Sequence, residues 1–335
     1  MKRSKDRILV SHAGVLPRPA NLLEAMRAGP SRDADFRSML PGAVKDIVKQ
    51  QVECGFDVVN DGEFSKRGGF SGYPRERLSN LESREFKEGE GPKPHDVQGR
   101  DRRDFPEFGK LGFPARAGGA PTGNAGGTIL NTPGSFNAGQ GGGASAGSAP
   151  GTRTMVFATG PVSFIGQEQV KSDIANIKAA LAAYPNVEGY LPAVAPGTME
   201  HWLRNEHYKD DETFLFAIAD AMHEEYKAVV DAGFILQLDD PGLPDTWDMI
   251  VPRPSIEEYR KFAQLRVDAQ NRALKGIPAD RVRYHICWGS WHGPHVYDIE
   301  LKHVVDLMLQ VDAEAYSVEA ANPRHEHEWK VWKRT

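Results

Sequence analysis

The sequence predicts an α/β protein in which helices cover a mostly parallel sheet. Short apolar runs alternate with amphipathic helical stretches along the chain, and this alternation is typical of βα units. The helical stretches also end at glycines, as helices of such units commonly do. At 335 residues, the chain can bury a large core, and α/β barrels commonly reach this length as one domain. We therefore expect a single catalytic domain over residues 1–335.

Seven apolar runs have the length and composition of strands. They are Ile8 to Ser11, Phe56 to Asn60, Met155 to Thr159, Tyr190 to Val194, Phe234 to Asp239, Tyr284 to Trp288 and Tyr316 to Glu319.

Three helices have clear limits. Ala43 to Cys54 has apolar residues on one face and ends at a glycine, and so does Phe216 to Ala232. Ser255 and Glu258 have the spacing of a capping box, which predicts a third helix that runs toward Gly276. All three are expected to cover the sheet.

Residues 83–151 interrupt the alternation of predicted strands and helices. The part from Ser83 to Phe108 is charged and rich in glycine and proline, and the part from Ala115 to Gly151 is mainly small and polar residues. Such composition buries too little apolar surface to order itself. We expect a disordered, Gly-rich insertion between the second and third strands, acting either as a lid or as a passive tract.

Composition excludes several classes of protein. The net charge of −5 and the pI near 6.1 argue against a nucleic-acid binder, so the expected partners are small molecules. No signal peptide or membrane span is evident, and we expect a cytoplasmic protein that does not bind membranes. Two cysteines, Cys54 and Cys287, form no disulfide framework and suit a reducing compartment. The oligomeric state is not predicted.

The most informative motif is His285-Ile286-Cys287, followed 32 residues later by Glu319. Residues two apart in a strand point to the same face, so the imidazole and the sulfur can converge on one ion. Imidazole, thiolate and carboxylate are zinc ligands, and three protein ligands with one open position are typical of a catalytic site. The alternative is that His285 and Cys287 only pack in the core.

Acidic and imidazole side chains also gather where the predicted strands end. His12 follows the first strand, Asp61 and Glu63 follow the second, and Asp239 and Asp240 end the fifth. In a parallel barrel the active site lies at these ends. Each residue alone is also compatible with a turn or a helix cap.

These motifs resemble the cobalamin-independent methionine synthase superfamily, specifically its short proteins that match the C-terminal catalytic barrel. The resemblance runs from about Ile8 to Trp332. It rests on the segments His12 to Pro19, Asp61 to Glu63, Leu236 to Pro241, His285 to Cys287, and Glu319 with Asn322 to His325. It implies a TIM-type (β/α)8 barrel with a zinc ion that binds the sulfur of an acceptor thiol.

The resemblance also implies residue roles. His285, Cys287 and Glu319 match three zinc ligands, and the expected activity is zinc-dependent transfer of a methyl or alkyl group to a thiol, similar to methyl transfer to homocysteine. Glu63 and Asp239 match acids that hold the amino group of homocysteine. Neighbouring Asp61 is expected at the same substrate site, where Asp239, Asp240 and His12 would serve the chemistry and proton movement.

Three departures from the family pattern leave alternatives open. The fourth zinc ligand, a later cysteine, and the final strand region have no counterpart before Thr335, so we expect a truncated barrel. Gly14-Val15 stands where the family has Gly-Ser. The N-terminal half that contributes to folate binding in full-length synthases has no counterpart in this sequence. The alternatives are alkyl transfer from an epoxide to a thiol such as coenzyme M, a truncated non-catalytic barrel, or a metal-free barrel like uroporphyrinogen decarboxylase.

Overall fold

The computed structural model describes residues 1–85, 99–107, 154–289 and 294–333. The predicted Gly-rich tract from Ala115 to Gly151 lies outside these residues. The strands are β1 (Val58–Val59), β2 (Leu81–Glu85), β3 (Thr154–Ala158), β4 (Glu188–Val194), β5 (Leu203–Asn205), β6 (Ile235–Asp239), β7 (Val282–Ile286) and β8 (Ala315–Val318). In the described part of the chain, no helix is long and apolar enough to cross a membrane.

The described α-helices surround these strands. They are α1 (Ala20–Arg27), α2 (Asp33–Glu53), α3 (Gly69–Arg77), α4 (Gly99–Asp104), α5 (Gln167–Leu181), α6 (Pro196–His201), α7 (Asp211–Asp231), α8 (Gly242–Met249), α9 (Ile256–Ala273) and α10 (Val305–Met308). Short 3-10 helices occupy Gly29–Arg32, Ala279–Arg281, Leu301–His303 and Glu326–Lys333. The capping box predicted for the third helix is confirmed, because Ser255 and Glu258 cap α9 reciprocally.

The main sheet has five parallel strands in the order β1-β4-β6-β7-β8. A parallel bridge from Ser11 to Val58 extends it at one side, and this single bridge is all that forms of the predicted first strand, Ile8 to Ser11. The α/β prediction is confirmed. In the described residues the parallel strands make a half-barrel rather than a complete eight-stranded barrel.

The third predicted strand does not belong to the barrel sheet. β3 lies in a second sheet of order β2-β3-β5, where it pairs antiparallel with β2 and parallel with β5. Its antiparallel neighbour, β2, begins just before the charged segment that predicts an insertion. The expectation that Met155 to Thr159 joins the parallel barrel is therefore wrong, because an apolar run specifies a strand and not its partner.

Two ordered elements also lie inside the predicted insertion of residues 83–151. The last residues of β2 pair with β3, and α4 is anchored to α8. The backbone N–H groups of Arg100 and Asp101 donate to Oδ1 of Asp248 at 3.1 and 3.2 Å. A low-complexity insertion beginning at Ser83 is thus contradicted for these two stretches; the intervals 86–98 and 108–153 lie outside the described residues.

Strand β7 shows how the half-barrel is built. Val282, Tyr284 and Ile286 are fully buried, whereas Arg283 and His285 are only partly buried. Because side chains alternate along a strand, the apolar set packs beneath the covering helices, within the main hydrophobic core. The polar set faces the concave side of the sheet, where the candidate site lies.

A buried ionic cluster joins α3 to α7. Nε of Arg77 donates to Oε2 of Glu225 at 2.7 Å, and the hydroxyl of Tyr73 donates to the other carboxylate oxygen. The side chains of Arg77 and Tyr73 are completely buried, and Glu225 is nearly so. A charge enclosed in this way depends on its partner, because an unpaired ion in the interior has lost its hydration.

A second cluster fixes the 3-10 helix Glu326–Lys333 against the strand that carries the predicted metal ligands. The buried imidazole of His325 stacks on Trp288 with 3.7 Å between ring centroids. Its Nδ1 lies 2.8 Å from Glu328 and its Nε2 lies 3.1 Å from Asp298. Burial lowers the pKa of His325, but the hydrogen bonds to the two carboxylates outweigh it and raise the pKa to about 9.

We expect Glu225→Ala to lower the free energy of unfolding by about 3–5 kcal/mol, because it removes the carboxylate that is hydrogen-bonded to buried Arg77 and leaves only the longer contacts to Glu76 and Asp173. Asp220→Ala is the matched control on the same helix, since Asp220 pairs with Arg272 where both are about half exposed; its loss should stay below about 1 kcal/mol. Urea unfolding measures both. Equal losses in the two variants would contradict a structural role for the buried cluster.

We expect stability to fall as the pH rises toward 9. The folded pKa of His325, about 9, exceeds its ordinary value of 6.5, so its contribution is fully present below pH 6.5 and is lost as the pH passes through 9. The loss should be about 1–3 kcal/mol, and His325→Gln should flatten the profile. Exposed His327 supplies the control variant His327→Gln. Parallel profiles for wild type and His325→Gln would refute the prediction.

Candidate active site

The concave face of the half-barrel carries polar side chains in layers. Gln237 of β6 is in register with Arg283 of β7, and Asp239 is in register with His285. Cys287 follows two residues later on the same face as His285. The geometry thus brings together an amide, a guanidinium, a carboxylate, an imidazole and a thiol over two neighbouring strands.

His285 is held with one ring nitrogen available. Its Nδ1 lies 3.2 Å from both the backbone oxygen and the hydroxyl of Ser317 on β8. Burial lowers the pKa of His285, which favours the neutral imidazole. With an Nδ1–H donated to the carbonyl oxygen, the lone pair lies on Nε2, which is the arrangement found when histidine binds a metal.

Cys287 is a half-buried thiol in an acidic environment. Burial raises its pKa, and the carboxylates of Glu319, Asp245 and Asp239 raise it further. The backbone N–H of Glu319 donates to the oxygen of Ile286 at 3.2 Å, which continues the β7–β8 pairing and sets Glu319 beside Cys287. A cation placed here would reverse this effect on the thiol, since it stabilises the thiolate.

The carboxylate of Glu319 is turned away from a shared ion. Its Oε1 accepts from the amide of Asn322 at 2.7 Å and lies 3.5 Å from the guanidinium of Arg324. In the part of the chain that the structure describes, no group of three or more His, Cys, Asp or Glu side chains is placed to hold a metal. The three predicted ligands therefore suit zinc in chemical type and strand position, while their donor atoms are not gathered.

The Asp61-Gly62-Glu63 motif forms a tight turn after β1. Gly62 and Glu63 have φ of +69° and +57°, and the second value is unusual for a residue with a side chain. Oδ1 of Asp61 accepts the backbone N–H of Glu63 at 2.9 Å. The turn brings Glu63 so close to Gly14 that a Cβ there would lie 2.8 Å from Oε1 of Glu63.

Lys66 fills the space among these acids. Its Nζ donates to Oε2 of Glu63 at 3.0 Å and to the backbone oxygen of Pro192 at 2.5 Å. The side chain is 8 % exposed. Burial lowers the pKa of Lys66, but Glu63, Asp61 and Asp239 outweigh it and leave the pKa above its ordinary value. Lys66 is therefore an ammonium ion inside the acid cluster.

Arg18 holds the backbone of the same loop. Its Nη2 donates to the backbone oxygens of Glu63 and Lys66 at 2.6 and 3.0 Å, and its Nε donates to that of Phe64 at 3.3 Å. The guanidinium is buried, so it satisfies carbonyl groups that water does not reach. Arg18 is a positioning residue for the loop.

Asp239 lies between the acid cluster and His285. It is nearly buried and accepts from the amide of Gln237 at 2.7 Å. Burial, and then repulsion from Glu63, raise the pKa of Asp239 to about 8, although Lys66 acts in the opposite direction. At neutral pH this carboxyl group can therefore donate or accept a proton, as a group near its pKa does.

Asp240 and His12 lie apart from this group. The carboxylate of Asp240 accepts from the hydroxyls of Thr198 and Tyr284, and Tyr284 belongs to the outer, apolar face of β7. The ring of His12 stacks on Phe56 at 4.2 Å. The structure brings Asp61, Glu63 and Asp239 together around Lys66, but it does not bring these two side chains to them.

Sequence reasoning missed Lys66, Arg283 and the contacts of Arg18. Arg283 carried a usable signal, because it precedes His285 by two residues and so shares its face. Arg18 stood within the His12 to Pro19 segment without an assigned role. Lys66 carried no signal, since nothing in the sequence separates a buried lysine from an exposed one.

No family model matches the chain. A curated methionine synthase from Saccharolobus islandicus is 34% identical over 113 residues, which are 33% of this chain and 30% of that protein. The methionine synthase of Pyrococcus furiosus is 32% identical over 113 residues, or 33% of this chain and 29% of that protein. The matched segment thus spans less than a third of these relatives.

Solved structures share the fold. A B12-independent methionine synthase from a Shewanella species has a TM-score of 0.50 at 18% identity and covers 84% of this chain and 61% of its own. A putative vitamin-B12 independent methionine synthase from Listeria monocytogenes has a TM-score of 0.52 at 20% identity, covering 84% and 65%. The chain is therefore similar to methionine synthases in sequence over one segment of 113 residues and shares the fold of B12-independent methionine synthases over most of its length.

Proposed function

We propose that the chain transfers a methyl or alkyl group to the sulfur of a small thiol at a zinc site formed by His285, Cys287 and Glu319. The observation that carries this proposal is the position of the first two residues on the concave face of β7, with Glu319 beside them after β8. The methionine synthases that match the chain support the reaction class.

The donor set fits zinc. His285 offers a neutral nitrogen, Cys287 a sulfur and Glu319 an oxygen, and zinc accepts all three. The acids around Cys287 favour a cation at this position. Binding would require the carboxylate of Glu319 to leave both the amide of Asn322 and the guanidinium of Arg324. When bound, zinc would lower the pKa of the acceptor thiol so that its thiolate forms at neutral pH.

The residues of the chain then orient the acceptor. Asp239 lies next to His285 in register, so it would face a thiol bound there and move a proton at its carboxyl group. Beyond Asp239, the ammonium group of Lys66 links the site to Glu63 and Asp61. The sulfur attacks the carbon of the donor, the bond from that carbon to its leaving group breaks, and the thiol proton passes to solvent or to Asp239.

The contacts of the other two predicted residues favour supporting roles. We propose that Asp240 fixes the junction of β6 and β7, because it binds Tyr284 and its backbone N–H donates to the oxygen of His285 at 2.8 Å. A role of His12 in proton movement stays a prediction, because its ring stacks on Phe56 apart from the acid cluster. The methyl donor and the thiol are both proposed to be small molecules.

The second candidate is that the protein binds no zinc and carries out no metal-dependent transfer. It is favoured by one observation, the pairing of Glu319 with Asn322 and Arg324. The content of zinc in the purified protein separates the two candidates.

We expect about one zinc per chain, and Cys287→Ser should remove most of it because an alcohol is a poor zinc ligand. Elemental analysis of the purified protein measures this. Cys54→Ser is the matched control, since Cys54 is exposed at the end of α2, and it should keep the metal. Full zinc occupancy in Cys287→Ser would remove Cys287 from the site, and zinc-free, folded wild type would favour the second candidate.

Zinc-loaded protein should also accelerate the methylation of short thiols by methyl iodide, a donor that needs no specific recognition. The sulfur–carbon bond forms, iodide leaves and one proton is released. We expect the rate to exceed that of Cys287→Ser by about tenfold, because a coordinated thiol is almost entirely thiolate at neutral pH, whereas a free thiol with a pKa of about 8.5 is only a few per cent thiolate. Mass spectrometry of the thioether measures the rate, with Cys54→Ser as control. Equal rates in wild type and Cys287→Ser would refute thiol activation.

A further inference from the structure

Lys66 contacts the acids to which the family resemblance assigns a substrate ammonium group. Its Nζ contacts Glu63 at 3.0 Å, and both side chains are at least 86 % buried, with exposures of 8 % and 14 %. Negative charge on Asp61 or Asp239 would further stabilise this ammonium ion. The acids that resemble an amino-group site are therefore already neutralised by the chain itself.

A second ammonium group would have to displace Lys66. Lys66 is tethered three residues from Glu63 in the same turn, so its effective concentration at the carboxylate is far above that of a free molecule. Its displacement would leave Lys66 buried without a partner, and placing a second cation beside it would add like-charge repulsion. Both costs select against an acceptor that carries an ammonium group near Asp239.

Arg283 offers the opposite selectivity. It lies on the same face of β7 as His285, two residues or about 6.6 Å deeper along the strand. Its Nη1 donates to the hydroxyl of Ser11 at 3.1 Å, and its guanidinium lies 4.1 Å from the centroid of the Tyr190 ring.

The other donors of Arg283 are unused. Its Nε and Nη2 are buried and have no hydrogen-bond partner in the described part of the chain. This pair of nitrogens forms the fork that binds a carboxylate or sulfonate through two parallel hydrogen bonds. A buried donor without a partner is costly, which favours an anionic group supplied from outside.

We propose that the acceptor is a short thiol with a carboxylate or similar anion and no ammonium group, and that Lys66 and Arg283 determine this specificity. The inference rests on the proposed function, because it assumes that the thiol binds beside His285 and Cys287. Arg283 binds the anion, and Lys66 excludes the cation.

A matched pair of thiols tests the proposal. Homocysteine and 4-mercaptobutyrate differ only in the ammonium group, and calorimetric titration of zinc-loaded protein measures both affinities. We expect 4-mercaptobutyrate to bind at least about tenfold more tightly. Lys66→Met should reduce or reverse the preference for 4-mercaptobutyrate over homocysteine. Arg283→Met should weaken the binding of 4-mercaptobutyrate and leave the binding of the neutral 1-butanethiol unchanged. Lys49→Met, at an exposed pair with Glu53, is the control and should keep the wild-type ratio.

Equal or tighter binding of homocysteine to the wild type would overturn the proposal, whatever the variants do. If no thiol binds, including 1-butanethiol, the proposed function fails instead. The charge selectivity is then decided with metal-free protein, in which butyrate should raise the melting temperature and 2-aminobutyrate should not. Equal shifts with these two ligands would also overturn the proposal, and this measurement does not depend on zinc.

Discussion

The period-two alternation of β7 is the constraint on which the site depends. Val282, Tyr284 and Ile286 must be buried under the helices, and this fixes the intervening residues on the concave face. A slip of one residue would bury Arg283 and His285 in the core and expose the apolar set. The same packing that stabilises the half-barrel therefore also determines which side chains line the proposed site.

Around that strand the site combines two kinds of polar group. Buried clusters such as Arg77 with Glu225 are closed, because each charge has its partner within the protein. Nη1 and Nη2 of Arg77 also lack hydrogen bonds, but carboxylates of Glu76 and Asp173 lie 3.7 and 3.9 Å from them. The concave face is different, since Nε and Nη2 of Arg283 have no partner in the described part of the chain and the acidic setting of Cys287 favours a cation. This contrast separates polar groups that stabilise the fold from polar groups that await a ligand.

Sequence reasoning found the α/β class, the capping box at Ser255 and the shared face of His285 and Cys287, because each depends on local periodicity. It failed for Met155 to Thr159, since the choice of a strand's partner depends on a distant segment. It also could not find Lys66, whose burial arises from the turn at Glu63 and from Pro192, more than a hundred residues away. Local patterns carry no record of such contacts, and therefore the sequence predicted a group of acids but not the lysine that lies among them.

The contacts of Arg18 have a consequence for how such sites diverge. In the described part of the chain, the hydrogen bonds of Arg18 go to main-chain oxygens of the loop, those of Glu63, Phe64 and Lys66. Every amino acid presents the same carbonyl group, so replacement of the side chain at position 66 leaves this anchor intact. Substitution at position 66 can therefore change the charge on the concave face while the loop keeps its shape, and the charge of the proposed site can diverge without a new scaffold.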